Sequence, residues 1–229
     1  MAITIKSERE IELMAEAGKI LERVHNELEK ALRPGMSTKD IDTLGEEIIR
    51  SYGCIPSFLN YNGYPASICV SVNQEVVHGI PDKHRIIQEG DIVSLDAGVI
   101  YKGYHSDAAR THAVGEVSEE AKKLIRVTKE SFFEGIKFAK AGNHLFDISG
   151  AIGRYAEERG YGVVRDLCGH GIGTALHEAP EIPNYEVGRK GVRLRPGMTL
   201  AIEPMINIGT HEVDWLDDDW TVVTRDGSL

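Results

Sequence analysis

Nowhere in the chain do about 18 apolar residues run together, the length a membrane-spanning helix requires. The N-terminus, Met1-Ala2-Ile3-Thr4-Ile5-Lys6, carries no apolar run of the signal-peptide kind. These absences lead to the expectation of a soluble, cytoplasmic protein with no membrane partner. Cysteine is scarce: Cys54, Cys69 and Cys168 are the only three in 229 residues, an odd count that supports no disulfide framework and fits free thiols in a reducing compartment. Basic residues are outnumbered, 26 Lys and Arg against 36 Asp and Glu, for a net charge of −10. That balance argues against a nucleic-acid surface and favours metal cations or small substrates as partners. A monomer is expected.

Several motifs are also missing. Gly169-His170-Gly171-Ile172-Gly173 is one residue short of a dinucleotide-binding G-x-G-x-x-G, and no phosphate-loop Lys-Ser/Thr follows it. Neither His177-Glu178 nor His211-Glu212 is completed to H-E-x-x-H, and no G-x-S-x-G nucleophile elbow occurs.

What is present centres on Gly90 to Val114. Ile92, Val93, Leu95, Val99 and Ile100 are strand formers, Lys102-Gly103 supplies a tight turn, and the chain returns through Tyr104. With a two-residue loop, opposed residues have numbers of opposite parity, so Asp96 and Asp107 project from the same face of a β-hairpin. Two like charges so placed are destabilising unless one is protonated or a cation lies between them. Around the hairpin, Ser7 with Glu10 reads as a capping box opening a helix that runs to Pro34-Gly35, and Ser37-Thr38 opens a second that ends at Gly53. Strand-like residues follow from Ser67 to Val72. Ser118 caps a third helix over Leu124 to Lys140, and Leu145 to Arg159 makes a fourth. Later strands are expected at Met198 to Glu203 and near Trp220 to Thr224.

Four landmarks recur at one offset of 107: Gly35 with Gly142, Gly53 with Gly160, Gly90 with Gly197, and Asp96 with Glu203. The chain therefore reads as one domain, 1–229, of two related halves at about 1–115 and 116–229. Pairing the halves about a pseudo-two-fold axis would bring Asp96 and Glu203 toward a shared site. Of nine histidines, His170 is singled out by its flanking glycines, which let backbone approach a ligand closely. His78 and His177, each between apolar residues and turn formers, are further candidates. The set Asp96, Asp107, Glu203 and His170, mostly oxygen donors with one nitrogen, suits Mn²⁺, Fe²⁺, Co²⁺ or Zn²⁺, and bridging carboxylates suit a metal pair that activates water.

The ordered set His78, Asp96-x10-Asp107, Cys168-Gly169-His170-Gly171-Ile172-Gly173, His177 and Pro196-Gly197-Met198-Thr199-Leu200-Ala201-Ile202-Glu203-Pro204 closely resembles type I methionine aminopeptidases of the bacterial kind, in peptidase family M24. The resemblance runs over essentially the whole chain. It implies an α/β (α+β) pita-bread fold, with two pseudo-symmetric halves of antiparallel sheet covered by helices. It also implies two divalent metal ions (Co, Mn, Fe or Zn) that activate a water to cleave after the initiator methionine of peptides and nascent chains. By the same resemblance Asp96 binds one metal, Asp107 bridges, His170 holds the second, and Glu203 is both a ligand and a proton shuttle. His177 contacts the scissile carbonyl and steadies the oxyanion, while His78 contacts the substrate backbone. Phe58, Tyr61, Tyr64, Cys69, Leu176 and Trp220 line the methionine pocket.

Two departures accompany the resemblance. The family pattern continues past Trp220-Thr221-Val222-Val223-Thr224 to one more metal-binding Glu and a closing strand, whereas the sequence stops at Leu229, so a C-terminal truncation is expected. If the polypeptide ends there, metal binding should be weak and activity low; if more residues follow, the mechanism is unchanged. Leu176 and Phe58 also stand where relatives often carry Phe and Cys. Two other readings remain: a non-catalytic peptide-binding protein on this fold, and an Xaa-Pro peptidase.

Overall fold

The computed structural model describes residues 2–229. Its four long helices are α1 (Glu8–Ala31), α2 (Thr38–Ser51), α3 (Glu119–Ile136) and α4 (Leu145–Glu157). Twelve strands accompany them: β1 (Ile55–Pro56), β2 (Ile68–Val72), β3 (Glu75–Val77), β4 (Ile92–Tyr101), β5 (Tyr104–Ala113), β6 (Gly162–Val163), β7 (Gly169–Gly171), β8 (Glu178–Ile182), β9 (Leu200–Ala201), β10 (Ile206–Asn207), β11 (Val213–Trp215) and β12 (Val222–Thr224).

Both N-terminal helices open as their sequences dictate. The Ser7 side chain accepts from Glu10 N–H while Glu10 reaches back to the Ser7 amide, and Ser37 with Asp40 repeats the arrangement on α2. The third helix starts at Glu119 instead of Leu124. Ser118 accepts from Ala121 N–H, which draws the polar first turn, Glu119-Glu120, into the helix. It stops at Ile136, short of the expected Lys140.

The β4–β5 hairpin turns over Lys102-Gly103 with Tyr101 opposite Tyr104, which is the two-residue loop expected. Asp96 faces Ala109 and Asp107 faces Gly98, so the two acids lie diagonally on one face. The other face of β4, Val93, Leu95, Ala97 and Val99, is fully buried and packs with Leu21, Val24 and Leu28 of α1 and Ile41 and Ile49 of α2. In the sheet, β4 is central. It pairs with β5 along one edge and with β1 and β2 along the other, all antiparallel.

In the second half α3 and α4 take the places of α1 and α2. Gly35 and Gly142 both turn with positive φ (89° and 97°), as do Gly90 and Gly197 (93° and 85°). An isolated bridge Ser37–Ile86 recurs as His144–Arg193, at the same offset of 107. The counterpart of β4 is broken, however. Only Leu200–Ala201 of the expected Met198 to Glu203 is strand, and Ile206–Asn207 pairs separately with β6. The chain leaves β7 after Ala201, and Pro204, which lacks an N–H, does not let a ladder resume beyond Glu203. Among the described residues no helix is long and apolar enough to cross a membrane.

One buried carboxylate ties helix to sheet. Asp42 on α2, 1% exposed, accepts from Ser67 N–H (2.9 Å) and Ile68 N–H (3.1 Å) at the start of β2. Asp42→Ala strands two buried donors and should cost about 3 kcal/mol. Urea unfolding checks this, and a loss under about 1 kcal/mol would show that the helix–strand tie is dispensable.

Candidate metal centre and substrate pocket

The candidate residues come from both halves. Asp96 sits in mid-β4 and Asp107 in β5, His170 is the middle residue of β7, and Glu203 follows β9. Donor atoms of Asp107, His170 and Glu203 all lie within 4.8 Å of one another, the one such group among the described residues. His170 Nε2 stands 3.1 Å from Glu203 Oε1 and 3.6 Å from Asp107 Oδ2. Asp96 stands outside this trio, its carboxyl against that of Asp107 on the hairpin face. Asn184 Nδ2 donates to the Glu203 carbonyl at 2.8 Å and holds the backbone there.

The donor set fits a cation. His170 Nδ1 lies 2.8 Å from the Gly171 carbonyl, which can only accept, so Nδ1 carries the proton. In the neutral ring, Nε2 then presents a lone pair toward two carboxylates, the second-sphere arrangement usual for a metal-binding histidine. With the ring neutral and its proton on Nδ1, the Nε2 atom 3.1 Å away cannot donate to Glu203 Oε1, and that buried oxygen is left an acceptor of the kind a bound cation satisfies. Burial, then Asp107 and Glu203, push the Asp96 carboxyl well above the usual carboxylate range. Burial also raises Glu203, against the opposing pull of His170. Burial lowers His170, but its pairing with Asp107 and Glu203 outweighs this and holds the ring at about 10.

Beside the centre, the His177 ring lies 4.1 Å from that of His170, and its Nδ1 is 2.7 Å from the Tyr61 hydroxyl. Burial, then the neighbouring His170 charge, lowers the His177 pKa and favours the neutral ring. His78 follows β3 in the left-handed region (φ 59°), its ring edge-on to Trp220 at 6.4 Å. Phe58, Tyr64, Cys69 and Leu176 form one buried cluster with Ala66, Ile172 and Ala201, and Tyr61 and Trp220 pack against it. All six expected pocket residues are thus brought together. The Tyr64 hydroxyl is tied off on the Gly79 carbonyl at 2.9 Å, and its ring packs edge-on to Trp220 at 5.1 Å. Sequence reasoning missed Met14 and Ile80, which also pack on this cluster. Met14 was visible in the apolar stripe of the first helix, but nothing local says which helix residues border a pocket. The Tyr61–His177 hydrogen bond was missed as well, because its partners lie 116 residues apart.

Metal binding requires deprotonated ligands, and each raised group keeps its proton to higher pH than usual. Apparent metal affinity should therefore strengthen from about pH 6 to about pH 8, with net proton release. Without metal, the stability these groups contribute is present below their ordinary ranges and is lost as pH rises through the raised values, for His170 near about 10. Titration calorimetry in two buffers of different ionisation enthalpy measures the protons released; none released across that range would contradict the site.

A profile of Metallopeptidase family M24 matches residues 12–225. The methionine aminopeptidase of Clostridium acetobutylicum is 58% identical over 227 residues, 99% of this chain and 91% of its own length. The crystal structure of methionine aminopeptidase from Thermotoga maritima superposes with a TM-score of 0.96 at 48% identity, covering 99% of this chain and 91% of that one. That from Rickettsia prowazekii gives 0.97 at 40% identity, covering 100% and 92%. With acids from one half meeting an imidazole and an acid from the other, on a fold shared along its whole length, the chain belongs to Metallopeptidase family M24 and has the pita-bread α/β fold of two pseudo-symmetric halves.

Proposed function

We propose that this chain is a metal-dependent methionyl aminopeptidase, a hydrolase that removes N-terminal methionine from peptides and nascent proteins. The observation that carries the reading is the convergence of Asp107, His170 and Glu203 within 4.8 Å beside an apolar, aromatic-walled cluster. We further propose two divalent ions held by Asp96, Asp107, His170 and Glu203. When bound, such ions supply Lewis acidity and a water that ionises near neutral pH. The diagonal placement of Asp96 and Asp107 on one hairpin face, one beside the trio and one within it, supports a paired rather than a single site.

The chain's own residues have separable duties in this reading. Glu203 Oε1 takes a proton and returns it to the leaving amine, consistent with its raised pKa. The Tyr61 phenol donates to His177 Nδ1, which leaves Nε2–H as the free donor. His177 can then hydrogen-bond the scissile carbonyl and strengthen that bond as negative charge develops. His78 contacts the substrate backbone near the cleaved bond. Phe58, Tyr61, Tyr64, Cys69, Leu176 and Trp220 receive the methionine thioether, for which polarisable and aromatic surroundings are favourable. Because the ligands are drawn from both halves, residues 1–229 act as one catalytic domain, and the site is supplied by a single chain, as a monomer. Three free cysteines accord with a cytoplasmic setting.

Met-Ala-Ser should be hydrolysed with added Co²⁺ or Mn²⁺ and spared in excess chelator. Full-rate hydrolysis with chelator present would rule the mechanism out, and faster turnover of an Xaa-Pro peptide would favour the Xaa-Pro alternative. His177→Ala should lower kcat about 10²- to 10³-fold, the usual loss on removing one oxyanion donor. Glu203→Gln should lower both bound metal, read by elemental analysis, and kcat.

A further inference from the structure

Ahead of α1, the Lys6 ammonium is paired with the Glu178 carboxylate at the start of β8. The two side chains are only 4% and 11% exposed. Lysine is almost never buried unless paired, and burying such a pair in place of apolar side chains gains little stability. Its location is informative. Glu178 directly follows His177, and Leu176 of the pocket precedes it. The loop from Gly173 to Glu178 is fixed at its beginning by His105 N–H donating to the Gly173 carbonyl at 2.8 Å, and at its end by Lys6.

Lys6 is itself anchored. Its N–H donates to the Gly197 carbonyl at 2.8 Å, in the turn that leads through β9 to Glu203. Two glycines give the segment passage. A methyl at Gly173 would come 2.5 Å from both Lys6 Cε and Glu178 Oε1, and one at Gly197 would come 2.6 Å from the Lys6 carbonyl oxygen. The N-terminal segment is thus a strap laid across two elements that carry site residues.

We propose that Lys6 is a positioning residue for His177: through Glu178 it fixes the end of the Gly173–Glu178 loop and so holds the imidazole beside His170 and Tyr61. This rests on the reading of His177 as the donor to the scissile carbonyl. A purely stabilising pair would lower the folded fraction; a positioning pair lowers kcat per folded, metal-loaded molecule and acts only while His177 is present.

The test uses the full chain with Mn²⁺ and Met-Ala-Ser, comparing Lys6→Met, His177→Ala and the double variant. Turnover is normalised to folded protein and bound metal. Lys6→Met should lower kcat about tenfold with KM nearly unchanged, the signature of a lost transition-state contact, and should add no further loss on His177→Ala. Lys6→Arg should restore most of the rate, and Glu178→Gln should reproduce the defect if Lys6→Met folds poorly. A readout independent of turnover is the ¹⁵N spectrum of the histidine rings, in which the His177 signal should shift or broaden in Lys6→Met and Glu178→Gln while that of His25 stays in place. An unmoved His177 signal, wild-type kcat in Lys6→Met, or an equal loss in the His177→Ala background overturns the proposal. A wild-type chain that fails to turn over Met-Ala-Ser, with the His177 signal still responding to Lys6→Met, overturns the functional reading alone.

Discussion

The register of the β4–β5 hairpin is the constraint on which the rest depends. Sliding β4 by one residue against its neighbours would send Val93, Leu95 and Val99 outward and drive Asp96 into the helix-packed core. Burying those three side chains contributes roughly 5 to 9 kcal/mol, at 1.5–3 kcal/mol each. The repulsion of two nearby carboxylates on the opposite face is about 1 to 4 kcal/mol between the effective dielectric of a protein site and that of water, and the raised pKa of Asp96 relieves it by keeping a proton there. Packing wins, and it forces two acids together where electrostatics alone would part them. The fold uses apolar burial on one face to impose a charged cluster on the other.

The second half completes that cluster. His170 enters on a three-residue strand whose glycine neighbours press against backbone: a methyl on Gly171 would collide with the Ala179 carbonyl, and one on Gly169 with that of Ala201. Only side-chain-free residues allow β7 to lie so close between β8 and β9, and that closeness brings the imidazole to the carboxylates. Neither half contains a metal centre by itself.

Much of this was legible in the sequence because it is local or periodic. Helix caps at Ser7, Ser37 and Ser118, the parity of Asp96 and Asp107, and the offset of 107 each follow from spacing along the chain. Seven of the twelve strands, β1, β3, β6, β7, β8, β10 and β11, were not anticipated. All but β8 are two or three residues long, too short for alternation to register, and β8, Glu178-Ala179-Pro180-Glu181-Ile182, carries a proline and no apolar alternation. Glu203 was found through the repeat, but its departure from the ladder was missed because the Pro204 beside it was read only as part of a motif. The Lys6–Glu178 pair spans 172 residues and leaves no trace in local pattern. Asp96 and Glu203, equivalent in the repeat, also proved unequal in place, since the tight trio includes Glu203 and leaves Asp96 behind Asp107.

That inequality follows from where the two ladders end. Asp96 is locked in mid-ladder, with β2 bonded on one side of its strand and β5 on the other. Glu203 sits on backbone that has left the sheet after Ala201 and is held there by one side-chain bond from Asn184 in place of a ladder, and its side chain has one more rotatable bond than its counterpart. A duplicated scaffold has in this way acquired a stiff arm and a supple one at equivalent addresses. Rigidity suits a group whose task is to hold still, and compliance suits one that must meet several species in turn, so the divergence of the two halves is a division between anchorage and traffic.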